Sequence, residues 1–513
     1  MDAASSSKNK KSDLSGRDRL LSNVLWGWGS YLVVIIAGFI MPRFIDRYVG
    51  QVNLGIWDFS WSLVSYLNYS SMGIGASINR YVAKYRAAYD KVKLQGAVSS
   101  VFLIQNGISV FIVVCSAIIA ELLPYYFSEK LGDGLDDAQW VVLLLGTSVA
   151  VEQAAGTFRG VITGCHRWDI HNILNVSTRI GGFIAMLSVL YLGMGLKALA
   201  AAYLIATIFF GLLRGWFAFR VCPELKLSLA LANLAQARKM VVFGWKSFVI
   251  QIPSLLLLQT SNVLITGVLG PAALAIFARA VALIRHTETV VQRFSFITTP
   301  IASVLKTTRE LDELKAFFYE SCRFGVAITM PIMLLFIFYG KDILQLWMGE
   351  QYATDLTLPF LAMGYFLPIS LSPAMSILVG INRHGKVGLV NLIIILIFFG
   401  IGLGIIEYVG WSLPRCALLV SFPLMLGNGI IIPLFTSFLL NITIQDFVKK
   451  IFILPLISNV PLILSLIISK GFLLQGSILV KCCEIFGGGF ITLILYFYYI
   501  LPAHLRVKFL KFR

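Results

Sequence analysis

The chain of 513 residues is 58% hydrophobic and 13% charged, yet carries a formal net charge of +17, and its mean hydropathy is +0.84. So apolar a composition excludes an ordinary soluble domain, and with no nucleic-acid motif the basic excess does not signal a nucleic-acid partner. The seven cysteines (Cys115, Cys165, Cys222, Cys322, Cys416, Cys482 and Cys483) are scattered and give neither a disulfide framework nor metal-ligand spacing.

A membrane span needs roughly 20 mostly apolar residues, and about 14 such stretches run end to end from Asn23 to Leu501. Hydrocarbon holds no water to satisfy open backbone groups, so the spans are read as helices and the fold as an all-α polytopic membrane protein. Residues 1–22 form a polar, basic tail (Lys8, Lys10, Lys11, Arg17, Arg19) without a small-residue cleavage site, so the first span is expected to be its own insertion signal. An N-lobe, 23–217, follows with spans at 23–42, 56–79, 96–120, 138–163, 173–193 and 196–217. Residues 218–239 (Arg220, Pro223, Glu224, Lys226, Arg238, Lys239 among leucines) read as a cytoplasmic linker or interfacial helix. A C-lobe, 240–440, holds spans at 240–262, 272–297, 322–340, 357–379, 387–409 and 413–440. Residues 441–513 add two extra helices, 447–469 and 477–501, and a basic tail with Arg506, Lys508, Lys511 and Arg513.

With a cytoplasmic N-terminus, about 28 Lys and Arg fall on inside segments and about 8 outside, a strong positive-inside bias. The acidic outer loop with Glu121, Glu129, Asp133, Asp136 and Asp137 agrees. An even span count then puts both termini in the cytoplasm.

The halves echo each other. Gly27-Trp28 opens span 1 and Gly244-Trp245 opens span 7. Gly50-x-x-x-Leu54-x-Ile56-Trp57 returns as Gly270-x-x-x-Leu274-x-Ile276-Phe277, and Gly164-x-x-Arg167 with Asn175 as Gly380-x-x-Arg383 with Asn391. Offsets of about 216–220 residues in a constant order point to a duplication, with a cavity expected between two pseudo-symmetric six-helix lobes.

Arg43 after span 1, Gly50-x-x-x-x-Gly55-x-Trp57, Gly73-x-Gly75-x-Ser77-x-x-Arg80, and Gly340-Lys-Asp-Ile-Leu-x-x-Trp347-Met-Gly349 between spans 9 and 10 make residues 20–440 resemble one known family. These are the polysaccharide (O-antigen, Wzx-type) flippases of the multidrug/oligosaccharidyl-lipid/polysaccharide superfamily. The resemblance implies export of undecaprenyl-diphosphate-linked repeat units from the inner to the outer leaflet of a bacterial cytoplasmic (inner) membrane, for O-antigen, lipopolysaccharide, capsule or exopolysaccharide synthesis. It implies as partners the lipid-linked oligosaccharide, membrane lipids, and polysaccharide polymerase and chain-length proteins, with no nucleic acid.

A flippase must give a polar, anionic headgroup a wet path, because its hydroxyls and phosphates cannot shed water unaided. Cations inside spans are therefore the residues to weigh. Arg279, His286 and Arg293 recur every seven residues in span 8, near one helix face. Arg285 sits beside them, with Glu288 placed to pair with it. Lys246 and Arg179 lie about two turns inside cytoplasmic helix ends, where long side chains either face the cavity or snorkel. These six bases are the expected substrate-binding set.

Glu152, near mid-depth with Arg159 seven residues on, and Asp58 are candidate ion-coupling residues, for H+ or Na+. Neutralisation of Glu152 by Arg159 or Arg179 is the competing reading. Arg43 and Asp46 are candidate gate residues or a solvated rim. Trp26, Trp28, Tyr31, Trp57, Trp61 and Tyr66 read as a carbohydrate path or as an interfacial belt. Pro253 is read as a hinge or a static bend in span 7. No nucleotide-binding or hydrolase motif is present, so the chain is not expected to be an enzyme, and no cofactor or metal is expected.

Three other functions are weighed. A peptidoglycan-precursor (lipid II) flippase shares the anionic-lipid logic. A multidrug/cation antiporter would need a net acidic cavity, whereas bases outnumber acids within the spans. A glycan polymerase or ligase would need large outer loops that are missing here.

Overall fold

A computed structural model describes residues 20–68, 70, 74–228, 252–308, 310–470, 478–501 and 506. Lys246 and the linker beyond residue 228 lie outside the described residues, as do Lys8, Lys10, Lys11, Arg17 and Arg19; the side chains of Trp26, Trp28 and Tyr31 are likewise not described. Among the described residues every regular element is helical. Nine of the helical stretches are long and apolar enough to cross a membrane, and the protein is an all-α, multi-pass membrane protein.

The chain divides into two compact units: Met1–Gln251 with Asn262–Ala275, and Ile252–Ser261 with Ile276–Arg513. The first holds α1 (Leu20–Val49), α2 (Gln51–Asn68), α3 (Ile74–Ala87), α4 (Lys91–Leu131), α5 (Leu135–Gly164), α6 (Trp168–Tyr191) and α7 (Gly195–Val221). Helix α5 is its spine, packing against α2, α3, α4, α6 and α7. The sequence allows this by placing small residues along α5, the usual device where apolar surface alone does not drive helices together. A Cβ at Gly146 would overlap the Ser116 side chain of α4, and one at Gly156 would lie 3.1 Å from Gln105 Nε2, also on α4. One at Gly164 would press on Val82 of α3 at 2.7 Å. Thr157 of α5 donates to buried Gln105 Oε1, and Ser109 of α4 donates to the Ala150 carbonyl of α5 at 2.7 Å. At the end of the unit holding the α5–α6 turn, a dry cluster of Ile78, Val82, Leu94, Val98, Val101, Val161 and Ile162 joins α3, α4 and α5.

Helices α8 (Ile252–Leu269) and α9 (Pro271–Thr307) follow the first seven. The second unit continues with α10 (Leu311–Met348), α11 (Thr357–Ser370), α12 (Ser372–Gly380), α13 (His384–Val409), α14 (Leu413–Leu424), a π-helical segment Met425–Ile431, α15 (Ile432–Leu439), α16 (Ile444–Val448), α17 (Leu454–Lys470) and α18 (Ile478–Leu495). Helix α10 packs on α11 and α17, and α17 on α18. Gly325 lets α10 approach the Ser370 carbonyl so closely that a Cβ would overlap it.

The sequence echoes become identical backbone. Gly50 and Gly270 both adopt left-handed φ (87° and 88°), each closing one helix and opening the next. Gly132 and Gly349 end the long helices α4 and α10 with positive φ, and Gly193 and Gly410 lie in the turns after α6 and α13. His166 and Asn382, both at φ 57°, carry the α5–α6 and α12–α13 turns. In the first turn His166 N bonds Thr163 O at 3.0 Å and Arg167 N bonds Ile162 O at 3.1 Å. In the second Asn382 N bonds Val379 O at 3.0 Å and Arg383 N bonds Leu378 O at 2.9 Å. These pairs lie about 216–220 residues apart, as inverted or parallel repeats of a transporter require of a shared frame.

Candidate functional site

The first unit carries an open cavity of about 300 Å³ between α1, α5, α6 and α7, with Glu152, Arg159 and Arg179 exposed along it. Each helix contributes residues at helical spacing: Glu152, Ala155 and Arg159 from α5; Asn175, Thr178, Arg179, Gly182, Phe183 and Met186 from α6; Tyr203, Thr207, Phe210, Gly211 and Arg214 from α7; Ala37 and Met41 from α1. Room for it comes from small side chains. A Cβ at Gly182 would meet only Ala206, at 4.0 Å, and one at Gly211 would make ordinary contact with Val151 at 3.5 Å.

Three guanidinium groups face one carboxylate, so the walls carry two positive charges in excess. No ion pair joins Glu152 to Arg159, Arg179 or Arg214 among the described residues, so the bases are not neutralised within the wall. Arg214 is only 8% exposed. It donates from Nη2 to Asn175 Oδ1 at 3.1 Å, and Asn175 Nδ2 in turn contacts His171 Nε2 at 3.0 Å. The Arg214 Nε is buried without a hydrogen-bond partner among the described residues. A buried, unmatched donor on a charged group is costly, and the guanidinium that carries it lines the cavity. At the other end, Tyr203 donates to Glu152 Oε1 at 3.4 Å.

Among the described residues of the expected substrate-binding set, only Arg179 lines this cavity. Arg279 is buried on α9, His286 is half-buried, and Arg285 and Arg293 are exposed. Glu288 accepts a hydrogen bond from Gln292 at 2.9 Å, and among the described residues no ion pair ties it to Arg285. Of the coupling candidates, Glu152 lines the cavity, whereas Asp58 is half-buried on α2 and does not. The gate candidates sit in the last two turns of α1: Arg43 is exposed and Asp46 half-buried, with the Asp46 carbonyl accepting from Gly50 N at 2.9 Å. In the sequence Arg159 stands as a neighbour able to neutralise Glu152, Arg214 is one of the bases within spans, and Tyr203 carries no signal of its own. The signal that finds them is the polar stripe 203, 207, 214 on α7, in register with 175, 178, 179 on α6.

No curated protein sequence matches the chain. Solved structures do. The lipid II flippase MurJ in an inward closed conformation matches at TM-score 0.68 and 15% identity, over 93% of this chain and 99% of that one. An inward-facing multidrug resistance MATE family transporter of the MOP superfamily matches at 0.63 and 14%, over 80% and 94%. A MOP superfamily transporter from Pyrococcus furiosus, described as having a binding pocket of reverse polarity, matches at 0.61 and 14%, over 83% and 96%. At such identities these neighbours show a shared fold. A family profile described as polysaccharide biosynthesis protein matches residues 85–355, a segment that runs from the end of α3 past α10 and includes every charged residue of the cavity. The chain belongs to the polysaccharide biosynthesis protein family.

Proposed function

We propose that this protein is a flippase. It carries undecaprenyl-diphosphate-linked oligosaccharide units from the inner to the outer leaflet of a bacterial cytoplasmic membrane by alternating access, with both termini in the cytoplasm. The observation that carries the reading is the cavity wall of Arg159, Arg179 and Arg214 against Glu152 alone. Guanidinium groups match phosphate oxygens in charge and in fork geometry, and two excess positive charges suit a diphosphate. The prenyl tail needs no such site, because it stays in lipid. Arg279, Arg285, His286, Arg293 and Lys246 are proposed as further contacts along the path, and Arg43 and Asp46 as a gate. Glu152 and Asp58 are proposed as the acids that exchange H+ or Na+ against the substrate. A polysaccharide polymerase and chain-length proteins would take the product.

An organic cation would meet the same three arginines, which counts against a multidrug antiporter. The peptidoglycan precursor also bears a diphosphate, and the MurJ likeness covers nearly the whole chain, so lipid II is the second reading. Complementation separates the two. The gene is placed in cells lacking their polysaccharide flippase and in cells depleted of their lipid II flippase, with Arg159→Ala and Arg179→Ala variants at matched expression. Restored surface glycan that is lost with the arginines supports the proposal. Rescue of the lipid II-depleted cells alone, or glycan export indifferent to both substitutions, overturns it.

A further inference from the structure

The cavity changes character along its length. Glu152 precedes Arg159 on α5 by seven residues, about 10 Å of helix, and Tyr203 precedes Arg214 on α7 by eleven, about 16 Å. Helix α7, which follows α6 in the chain, packs directly on α5. Glu152 and Tyr203 meet at one end, where the tyrosine hydroxyl approaches the carboxylate at 3.4 Å. Arg214 and Asn175 meet toward the other.

The acidic end is also aromatic. Trp61 of α2 sets its ring edge-on to Tyr203, centroids 5.5 Å apart at 82°, and Trp57 packs against Trp61 at 6.3 Å and 75°. This chain of rings fixes the plane of Tyr203 at the cavity wall. Phe183 and Met186 add apolar surface along the same wall.

The geometry points to a carbohydrate subsite at this end, in which Glu152 accepts hydroxyls of the first sugar on the diphosphate while the Tyr203 ring packs on its C–H face. This rests on the flippase reading and gives the headgroup a direction: phosphates toward Arg159 and Arg214, first sugar toward Glu152 and Tyr203. A carboxylate beside an aromatic ring also suits an organic cation. Such a cation would share the cavity with three arginines, whereas a sugar diphosphate uses both ends. Trp61 acts as a positioning residue, holding Tyr203 without itself lining the cavity.

The test measures equilibrium binding to the full-length protein in lipid nanodiscs. The probes are farnesyl diphosphate and the same lipid carrying one glucose, galactose or N-acetylglucosamine. Tyr203→Ala is expected to weaken the best sugar-bearing probe about tenfold while leaving bare farnesyl diphosphate within about twofold. Tyr203→Phe keeps the ring and is expected to bind the sugar-bearing probe within about threefold of the parent, which separates loss of the ring from misfolding. Arg214→Met should weaken both probes together. An equal effect of Tyr203→Ala on both probes overturns the subsite, as does no effect on either. So does a parent protein that binds no sugar-bearing probe more tightly than the bare lipid, or Tyr203-dependent binding of tetraphenylphosphonium. If Arg214→Met, Arg159→Ala and Arg179→Ala change neither probe, the flippase reading fails while a selective Tyr203 effect still stands.

Discussion

Arg214 offers the sharpest test of the cavity because its two roles pull in opposite directions. It is 92% buried and, among the described residues, has no carboxylate partner, one hydrogen bond to Asn175 and a buried Nε with none. A buried charge held this poorly destabilises the resting protein, and replacing buried ionic groups with apolar ones of similar volume is often neutral or stabilising. Arg214→Met removes that charge and its repulsion with Arg159, at the cost of leaving Asn175 Oδ1 unmatched, about 1–3 kcal/mol. The two terms roughly cancel, so the melting temperature in detergent should move by no more than about 3 °C either way. Binding has no such compensation. A hydrogen bond to a charged group contributes roughly 1.5–3 kcal/mol, which is about a 10- to 150-fold loss of affinity for a prenyl diphosphate. Calorimetric titration of farnesyl diphosphate, alongside thermal unfolding of the same preparation, reads both quantities. Binding within about twofold of the parent would refute the assignment of Arg214 to the anion. A collapse of stability would show instead that the guanidinium is a structural element.

Two further outcomes follow from local packing. Gly181→Ala puts a Cβ 2.5 Å from the Phe210 ring. The ring lines the cavity, so displacing it toward the cavity should lower substrate binding several-fold while stability drops by about 1 kcal/mol, checked by titration and thermal unfolding. Lys197 bridges Asp136 and Asp137 across the α4–α5 and α6–α7 turns with side chains 33–68% exposed, so Lys197→Ala should change unfolding free energy by about 0–1 kcal/mol and leave export unaltered.

The spans were legible because hydrocarbon imposes length and apolarity on a helix regardless of its neighbours. Span 138–163 is α5 within three residues at either end, and 196–217 lies inside α7. The hydropathy pattern fails at the ends of α4, which runs 41 residues from Lys91 to Leu131 rather than over 96–120. Its limits are set by capping. Asp90 accepts from Lys93 N at 3.0 Å at the start, and Gly132 turns the chain out at φ 49° at the finish. Neither signal is apolar, so a window that weighs only hydropathy stops where the membrane core stops. Helix α10 begins at Leu311, ahead of its span 322–340, and the end of that span falls at a break in the helix at Tyr339 (φ −122°, ψ 17°), beyond which a further helical stretch runs on to Gly349.

The site was less legible than the fold because its contacts are long-range. Asn175 and Arg214 are 39 residues apart and touch only because α6 and α7 pack side by side. From sequence, Arg214 is one of several bases within spans, and only the structure shows that it is buried.

The repeat sharpens what that burial means. In the second unit Asn391 occupies the place of Asn175, and it too reaches the next helical segment, donating to Asn428 Oδ1 at 2.8 Å. The partners stand at different places in the repeat: at the offset of 216 that relates the two asparagines, Arg214 corresponds to Ile430 and Asn428 to Leu212. The second unit joins its helices through an amide, and an isoleucine stands at the position that matches the arginine. A charge kept in so buried a place points to what it binds. In the first unit it shares a pocket wall with two further guanidinium groups. The prediction for Arg214→Met thus has a natural control, Asn428→Ala, which should lower stability by about 1–3 kcal/mol through the orphaned Asn391 amide and leave farnesyl diphosphate affinity unchanged.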